Sequence, residues 1–119
     1  ARVEAVRDSF LAFLESAKAE GRTIAAYGAA AKGNTFLNYC GVGPDDILEA
    51  YDANPAKQGR YLPGSHIPIR APDAVTASRP DDVLILPWNL KDEIVRQLAF
   101  IADWGVRFVV ASPVTRVLD

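Results

Sequence analysis

A turn of small residues after an apolar run is the first feature of this sequence that could bind a ligand. It reads YGAAAKGNTFLNY, from Tyr27 to Tyr39, and a helix-like pattern begins at its second glycine, Gly33. Free N–H groups at the amino end of such a helix, with Lys32 beside them, favour binding of a phosphate. The spacing partly fits a Walker loop, but Asn34 stands where the lysine that contacts the terminal phosphates is required. Nucleoside triphosphate hydrolysis is therefore disfavoured.

The same turn fits a dinucleotide-binding pattern better. Gly28, Ala30 and Gly33 follow the spacing G-x-G-x-x-G, with alanine at the middle position. Asp52 ends the second predicted strand, about 20 residues further on, where ribose-binding carboxylates usually lie. The methyl group of Ala30 obstructs close approach of a pyrophosphate, so bound NAD is disfavoured. The turn remains a candidate site for a phosphate that is held at a greater distance. The alternative is that the small residues only allow the helix and strand to pack closely.

A long loop rich in turn-forming residues follows, DANPAKQGRYLPGSH, from Asp52 to His66. Its Asn-Pro and Pro-Gly pairs mark turns, which indicates that the loop is ordered. Lys57 and Arg60, with Tyr61 adjoining, could clamp a phosphate and stack on a base or sugar. The alternative is a solvated loop whose charges serve solubility. The candidate ligand contacts in this loop are Asp52, Asn54, Lys57, Arg60, Tyr61 and His66.

A third candidate region, LPWNLKDE, follows the strongest apolar run of the chain. Trp88 could cover a ligand there or pack the end of the strand, and Asn89 lies beside it. All three regions follow predicted strands, and the carboxyl ends of parallel strands lie at the same edge of a sheet. That edge is the candidate site.

The elements that must position these loops alternate between strands and helices. This alternation predicts an α/β fold with a parallel sheet and right-handed crossovers. In the second half of the chain we expect Asn89 to cap a helix with Asp92, and Leu90, Ile94, Leu98 and Ile101 to form its inner stripe. The predicted helices are 3–20, Gly33–Tyr39, a short one at Pro72 and one from Asn89; the predicted strands are Thr23–Tyr27, Ile47–Asp52, His66–Ile69 at a sheet edge, Val83–Trp88 and Arg107–Val110, which closes the sheet.

Composition restricts the partners of the chain. Its 119 residues are 50% hydrophobic, which suits one compact domain. A net charge of -2 gives no overall attraction to nucleic acid or to an anionic membrane and favours a small-molecule partner. Cys40 and His66 are the only residues of their types, which disfavours a disulfide framework and a zinc site. With no long apolar run, we expect a cytoplasmic protein. Because it starts at Ala1 and has no methionine, we also expect a fragment of a larger protein.

Three stretches together resemble one known family: YGAAAKGNTFLNYCG, DANPAKQGRYLPGSHIPI and VLILPWNLKDEI. They are similar to the C-terminal domain of S-adenosylmethionine-dependent sugar C-methyltransferases, which methylate keto-deoxysugars carried on a nucleoside diphosphate. The resemblance covers Thr23 to Val110. It implies one Rossmann-like domain over residues 1–119, a three-layer sandwich with a mainly parallel sheet of about five strands. It also implies that this accessory domain faces the nucleotide sugar, with Gly28 to Asn34, Lys57, Arg60 and Trp88 to Asn89 at the family's motif positions.

The resemblance further implies a zinc-binding domain and a methyl-donor-binding domain earlier in the same chain. S-adenosylmethionine, zinc and the catalytic groups are expected there, so this part alone is expected to bind no cofactor and to transfer no methyl group. The ending, VVASPVTRVLD, keeps only Pro113 of the family's proline-rich close. Two other functions stay open: a dinucleotide- or CoA-binding regulatory module, favoured by Asp52, and a purely structural domain.

Overall fold

Helices and strands alternate along the chain, as the sequence predicts. The computed structural model describes residues 2–29, 31–111 and 116–118. The helices are α1 (Arg2–Ala19), α2 (Ala31–Cys40), α3 (Ala74–Ser78) and α4 (Lys91–Gln97), with short 3-10 helices at Trp88–Leu90 and Ala99–Trp104. The strands are β1 (Ile24–Tyr27), β2 (Ala50–Tyr51), β3 (Ile69–Arg70), β4 (Asp82–Ile85), β5 (Arg107–Val110) and β6 (Arg116–Val117).

The sheet has the strand order β3-β2-β1-β4-β5-β6. The first five strands are parallel, and β6 pairs antiparallel with β5 through Val110 and Arg116. The predicted α/β fold with a mainly parallel sheet is therefore confirmed. The prediction that β5 closes the sheet is wrong, because β6 lies outside it. The chain leaves the centre in opposite directions from β1 and β4, which makes their carboxyl ends the switch point where ligands of open α/β sheets bind.

Buried side chains on both faces of the sheet make the three layers. On one face, Phe10 of α1 and Leu37 of α2 share a buried cluster with Leu84 of β4. On the other face, Ile94 of α4 shares a second cluster with Val83. All four residues of β4 are buried, as expected for a strand covered by helices on both sides.

Several predicted boundaries differ from the structure. Strand β2 is confined to Ala50–Tyr51, and Leu48, predicted inside it, is 43% exposed. The strand predicted from His66 begins only at Ile69, since His66 has φ 62°, a turn conformation that a strand cannot contain. At α4 the predicted cap is wrong: the N-cap position is Leu90 rather than Asn89, and it provides no side-chain cap. Leu90 is 45% exposed, so it is not part of the inner stripe. Ile94 is buried in α4, whereas Leu98 and Ile101 are buried beyond its end, where the chain continues as a 3-10 helix.

The second half of the long β2–β3 loop folds back on β3. Gly59 donates its N–H to the Ile69 carbonyl (2.9 Å), Ile69 donates to the Arg60 carbonyl (2.8 Å), and Leu62 donates to the Ile67 carbonyl (2.8 Å). Leu62 and Ile67 are buried in the core. This 59–69 hairpin covers the outer side of β3, and it confirms the prediction that the loop is ordered.

At the amino edge of the sheet, one buried carboxylate at the start of β4 forms ion pairs with an arginine just before β1 and with an arginine of β5. Asp82, at the start of β4, is fully buried. Arg22, just before β1, donates to its Oδ2 (3.1 Å), and Arg107 of β5 donates to Oδ1 (2.9 Å) and Oδ2 (3.2 Å). Two guanidiniums thus compensate one buried charge, as a buried carboxylate requires.

The same edge carries a cleft between α1 and the residues that precede β2. Its lining combines apolar Leu14 and Ile24 with the ion pair of Lys18 and Asp46. The cleft lies opposite the carboxyl edge and holds none of the candidate site residues. In the described ranges, no helix is both long and apolar enough to span a membrane.

Cys40 lies on the last turn of α2 and is 8% exposed. Burial raises the pKa of its thiol from 9.0 to about 11. At pH 8 roughly one thiol in a thousand is then ionised, about 100-fold fewer than for an exposed cysteine. We expect iodoacetamide to alkylate Cys40 at least about 100-fold more slowly in the folded chain than in urea, with a rate that increases up to about pH 11. Equal rates in the two conditions would contradict the burial.

Candidate functional site

The three predicted loops meet at the carboxyl edge of the sheet. The β1–α2 loop contacts the β2–β3 loop through a hydrogen bond from the Ala29 N–H to the Asp52 carboxylate (3.0 Å). It contacts the end of β4 at Gly28, which lies against Pro87. The structure therefore brings together the loops that the sequence placed at one edge, at the switch point between β1 and β4.

Asp52 organises the beginning of the β2–β3 loop. Its Oδ2 accepts the Ala29 N–H, and its Oδ1 accepts the N–H of Asn54 (2.8 Å). The Asn54 side-chain oxygen in turn accepts the N–H of Ala56 (3.0 Å). These local bonds from Asp and Asn side chains are the ones that fix turns. Asn54 thus has a structural task in the loop, whereas Asp52 also reaches the neighbouring loop.

Lys57 points back to the β1–α2 loop. Its Nζ donates to the Ala29 carbonyl (3.2 Å) and lies 3.9 Å from Asp52 Oδ2. Gln58 donates its side-chain N–H to the Asp52 carbonyl (2.8 Å). The sequence predicts no role for Gln58, because an uncharged amide within a loop carries no signal of its partner.

The other candidates in this loop have different surroundings. Arg60 and Tyr61 belong to the 59–69 hairpin on the outer side of β3; both are exposed, Tyr61 by 62%. His66 is exposed too, and its N–H donates to the Leu62 carbonyl (2.9 Å). Since His66 precedes the parallel strand β3, it lies towards the amino edge, away from the site. Among the described residues, the side chains of this loop that hydrogen-bond to the β1–α2 loop are Asp52 and Lys57.

The glycines of the β1–α2 region allow close packing against the end of β4. A Cβ atom on Gly28, which has φ 101°, would lie 2.7 Å from Pro87 Cδ, and one on Gly33 would lie 2.8 Å from Leu86 Cβ. Gly33 therefore lies where the helix comes closest to β4, as the fingerprint predicts. This contact supports the packing interpretation of the two glycines. Ala30, the middle position of the pattern, lies outside the described residues.

The amino end of α2 borders the same edge. Lys32 is exposed in its first turn, and the side-chain oxygen of Asn34 is buried without a hydrogen-bond partner in the described part of the chain. Asn89, in the 3-10 turn after β4, is exposed. Trp88 lies in the same turn. Burial, reinforced by the negative charge of Asp52, raises the pKa of the Tyr27 hydroxyl.

Comparison with known proteins identifies the family. The sequence profile of the C-methyltransferase C-terminal domain matches residues 1–113. The chain belongs to this family. A curated relative, C-methyltransferase NovU from Streptomyces niveus, is 38% identical over 116 residues, which cover 98% of this chain and 28% of NovU. The resemblance predicted from the sequence is thereby confirmed.

This C-methyltransferase C-terminal domain spans little more than a quarter of the length of the relative that it matches. A C-terminal domain of this kind fits a chain in which other domains precede it. The matched range includes every candidate site residue, from Gly28 to Asn89.

A second polar cluster of this C-methyltransferase C-terminal domain lies beneath α3. The buried Glu49 carboxylate accepts the Ser78 hydroxyl (2.7 Å) and pairs with Arg70 Nε (2.9 Å). The fully buried Tyr51 hydroxyl lies beside this cluster, but no hydrogen bond of ordinary geometry reaches it from the described residues. Burial, with the nearby charge of Glu49, raises its pKa. Glu49 and Tyr51 are buried, whereas the Arg70 side chain is 57% exposed, so the cluster reaches from the core to the surface.

Proposed function

We propose that this domain binds part of a nucleoside-diphosphate sugar in an S-adenosylmethionine-dependent C-methyltransferase of keto-deoxysugars. Membership of the C-methyltransferase C-terminal domain family supports the reaction class. The proposed binding role is supported by the meeting of three loops at the switch point, because ligands of open α/β sheets bind outside the carboxyl ends of the strands. The cytoplasmic location expected from the sequence is part of the same proposal.

Positive electrostatic potential at the amino end of α2 supports a diphosphate at this edge. The first N–H groups of a ten-residue helix have no partners within it, and the exposed Lys32 adds a full charge. Among the described residues, the buried side-chain oxygen of Asn34 has no hydrogen-bond partner, and in this proposal it accepts a sugar hydroxyl or another donor once its side chain turns towards the site. Asn89 is an exposed side chain at the same edge that extends the proposed surface. Arg60 and Tyr61 are exposed on the 59–69 hairpin outside β3, where a ligand that extends past β3 would contact them.

In this proposal the methyl donor and zinc bind to other domains of the full-length enzyme. Within the described residues, no group of three or more histidine, cysteine, aspartate or glutamate side chains could hold a metal. Asp52, the carboxylate that a donor ribose would require, already accepts two backbone N–H groups. We therefore place zinc and S-adenosylmethionine in other domains of the enzyme, and in this proposal the present domain contributes substrate binding.

One alternative function has an observation in its favour. The contacts of Gly28 and Gly33 with Pro87 and Leu86 are those of a packing device, as expected of a purely structural domain. A dinucleotide- or CoA-binding module would use Asp52 for a ribose, although each of its oxygens already accepts one loop N–H.

Titration of the chain, followed by NMR, tests the proposal. We expect thymidine diphosphate to shift the amide resonances of Lys32, Gly33 and Asn34, while NAD, CoA and S-adenosylmethionine leave them unchanged. Lys32→Gln should weaken the interaction about tenfold, because it removes one charge-assisted contact. Lys18→Gln, at the opposite edge, is the matched control and should bind like the parent chain.

The competing functions give different results in this titration. Shifts with NAD or CoA in place of the nucleoside diphosphate would support the regulatory module. No shifts with any of the four ligands would support the structural domain and contradict the proposed binding role.

A further inference from the structure

The peptide groups on either side of Ala29 are held by two side chains of a single neighbouring loop. The Ala29 N–H donates to Asp52 Oδ2 (3.0 Å), and the Ala29 carbonyl accepts Lys57 Nζ (3.2 Å). We propose that Asp52 and Lys57 form a clamp that fixes the β1–α2 loop, and that both act as positioning residues rather than as direct ligand contacts. This differs from a phosphate clamp of Lys57 and Arg60, which the sequence suggests.

The clamp rests on a rigid base. The Asp52 N–H donates to the Arg70 carbonyl of β3 (3.0 Å), and the Asp52 carbonyl accepts the Gln58 side chain (2.8 Å). The second carboxylate oxygen holds the Asn54 N–H. Since the Asp52 side chain is only 18% exposed, the carboxylate is fixed by the sheet and by its own loop before it contacts Ala29.

Charge explains why Lys57 would act on the loop. A backbone carbonyl oxygen carries partial negative charge and repels a nearby phosphate. The Lys57 ammonium donates a hydrogen bond to the Ala29 carbonyl oxygen and thereby offsets this negative charge. The ammonium also lies 3.9 Å from Asp52 Oδ2, and the opposite charges of the two side chains largely cancel at the position of a more distant anion. Attraction of an anion then falls to Lys32 and the amino end of α2, and the clamp sets only the shape of the loop that leads into them.

The two roles of Lys57 predict opposite effects of Asp52→Asn. If Lys57 contacted a phosphate directly, loss of the Asp52 charge would release its ammonium and strengthen anion binding. If Lys57 and Asp52 form a clamp, the same change loosens the loop and weakens binding. The ligand part of this inference rests on the proposed function, whereas the loop part stands on the contacts of Ala29.

Amide hydrogen exchange of Ala29 tests the loop part without any ligand. We expect Asp52→Asn to speed exchange at Ala29 about tenfold or more, because a neutral amide accepts the Ala29 N–H more weakly than the carboxylate. Lys57→Met leaves that N–H bonded to Asp52 and frees only the Ala29 carbonyl, so it should speed exchange at Ala29 by a smaller factor. Exchange at Val83 in the sheet should stay unchanged, which excludes global unfolding as the cause. Lys57→Arg should restore most of the protection, because arginine retains a donor. Ala29 exchange that is unchanged in both variants would overturn the clamp.

Binding of thymidine diphosphate tests the ligand part. We expect each single variant to weaken binding and the double variant to be no weaker than the worse single one, since both changes break the same device. Tighter binding to Asp52→Asn, or additive losses, would overturn the positioning role in favour of direct contact. If the parent chain binds no nucleoside diphosphate, the proposed function fails, and the exchange at Ala29 still decides whether the clamp exists.

Discussion

Gly28→Ala is expected to lower the free energy of unfolding by about 2 to 6 kcal/mol, the sum of backbone strain and overpacking. Gly28 has φ 101°, which side-chain-bearing residues rarely adopt, and its new Cβ would lie 2.7 Å from Pro87 Cδ. The backbone cannot turn easily to relieve either effect, because the Gly28 N–H donates to the Tyr51 carbonyl at 2.7 Å. Urea denaturation followed by circular dichroism measures the loss.

Two other glycines separate the contributions. Gly21 has φ 70°, and no atom of the described residues lies within 4 Å of the position that a Cβ would take, so Gly21→Ala carries strain, about 1 to 2 kcal/mol. Gly33 lies in α2, where its Cβ would meet Leu86 at 2.8 Å, so Gly33→Ala carries overpacking of about 1 to 3 kcal/mol, offset in part by the higher helix propensity of alanine. A Gly28→Ala loss no larger than that of Gly21→Ala would show that Pro87 moves away without cost.

Asp82→Ala is expected to cost about 3 kcal/mol of unfolding free energy. The change removes a fully buried carboxylate and leaves Arg22 and Arg107 without their shared partner. The loss stays near the lower end for a broken buried pair because the Arg107 side chain is 41% exposed and can be hydrated. Thermal and urea unfolding both report the change.

Asp8→Ala is the matched control for Asp82→Ala. Asp8 pairs with Arg7 on the surface of α1, and its side chain is 69% exposed. We expect its replacement to change stability by less than about 0.5 kcal/mol. If Asp82→Ala were equally mild, the buried pair would contribute nothing beyond a surface contact.

The sequence predicts the sheet well because its strands are buried on both faces. The apolar runs of β1 and β4 have that composition, and the rule that ligands bind at the carboxyl ends then places three loops together. Strand β6 could not be predicted, because a strand of two residues is too short to show a hydrophobic periodicity. The cap at Asn89 was predicted from residue type, but the chain first forms a 3-10 turn there, and only the backbone conformation decides where α4 begins.

The site is predicted less completely because its contacts depend on backbone groups. Nothing in the sequence states that Ala29 offers its N–H to Asp52 and its carbonyl to Lys57. A lysine in a polar loop has the same sequence signature whether it faces a ligand, solvent or a neighbouring loop. His66 similarly belongs to a turn near the other edge, and only the path of the 59–69 hairpin reveals it.

Pairing of β3 with the 59–69 hairpin affects how copies of the protein meet at high concentration. Free strand edges allow separate molecules to join into continuous sheets, the first step towards fibrils. On this side, Ile69 already exchanges hydrogen bonds with Gly59 and Arg60, so a second copy would first have to displace the hairpin and expose Leu62 and Ile67. In the part of the chain that the structure describes, the opposite edge of the sheet is the two-residue strand β6, which offers few backbone hydrogen bonds to a second molecule. Intermolecular sheet growth is thereby disfavoured at both ends.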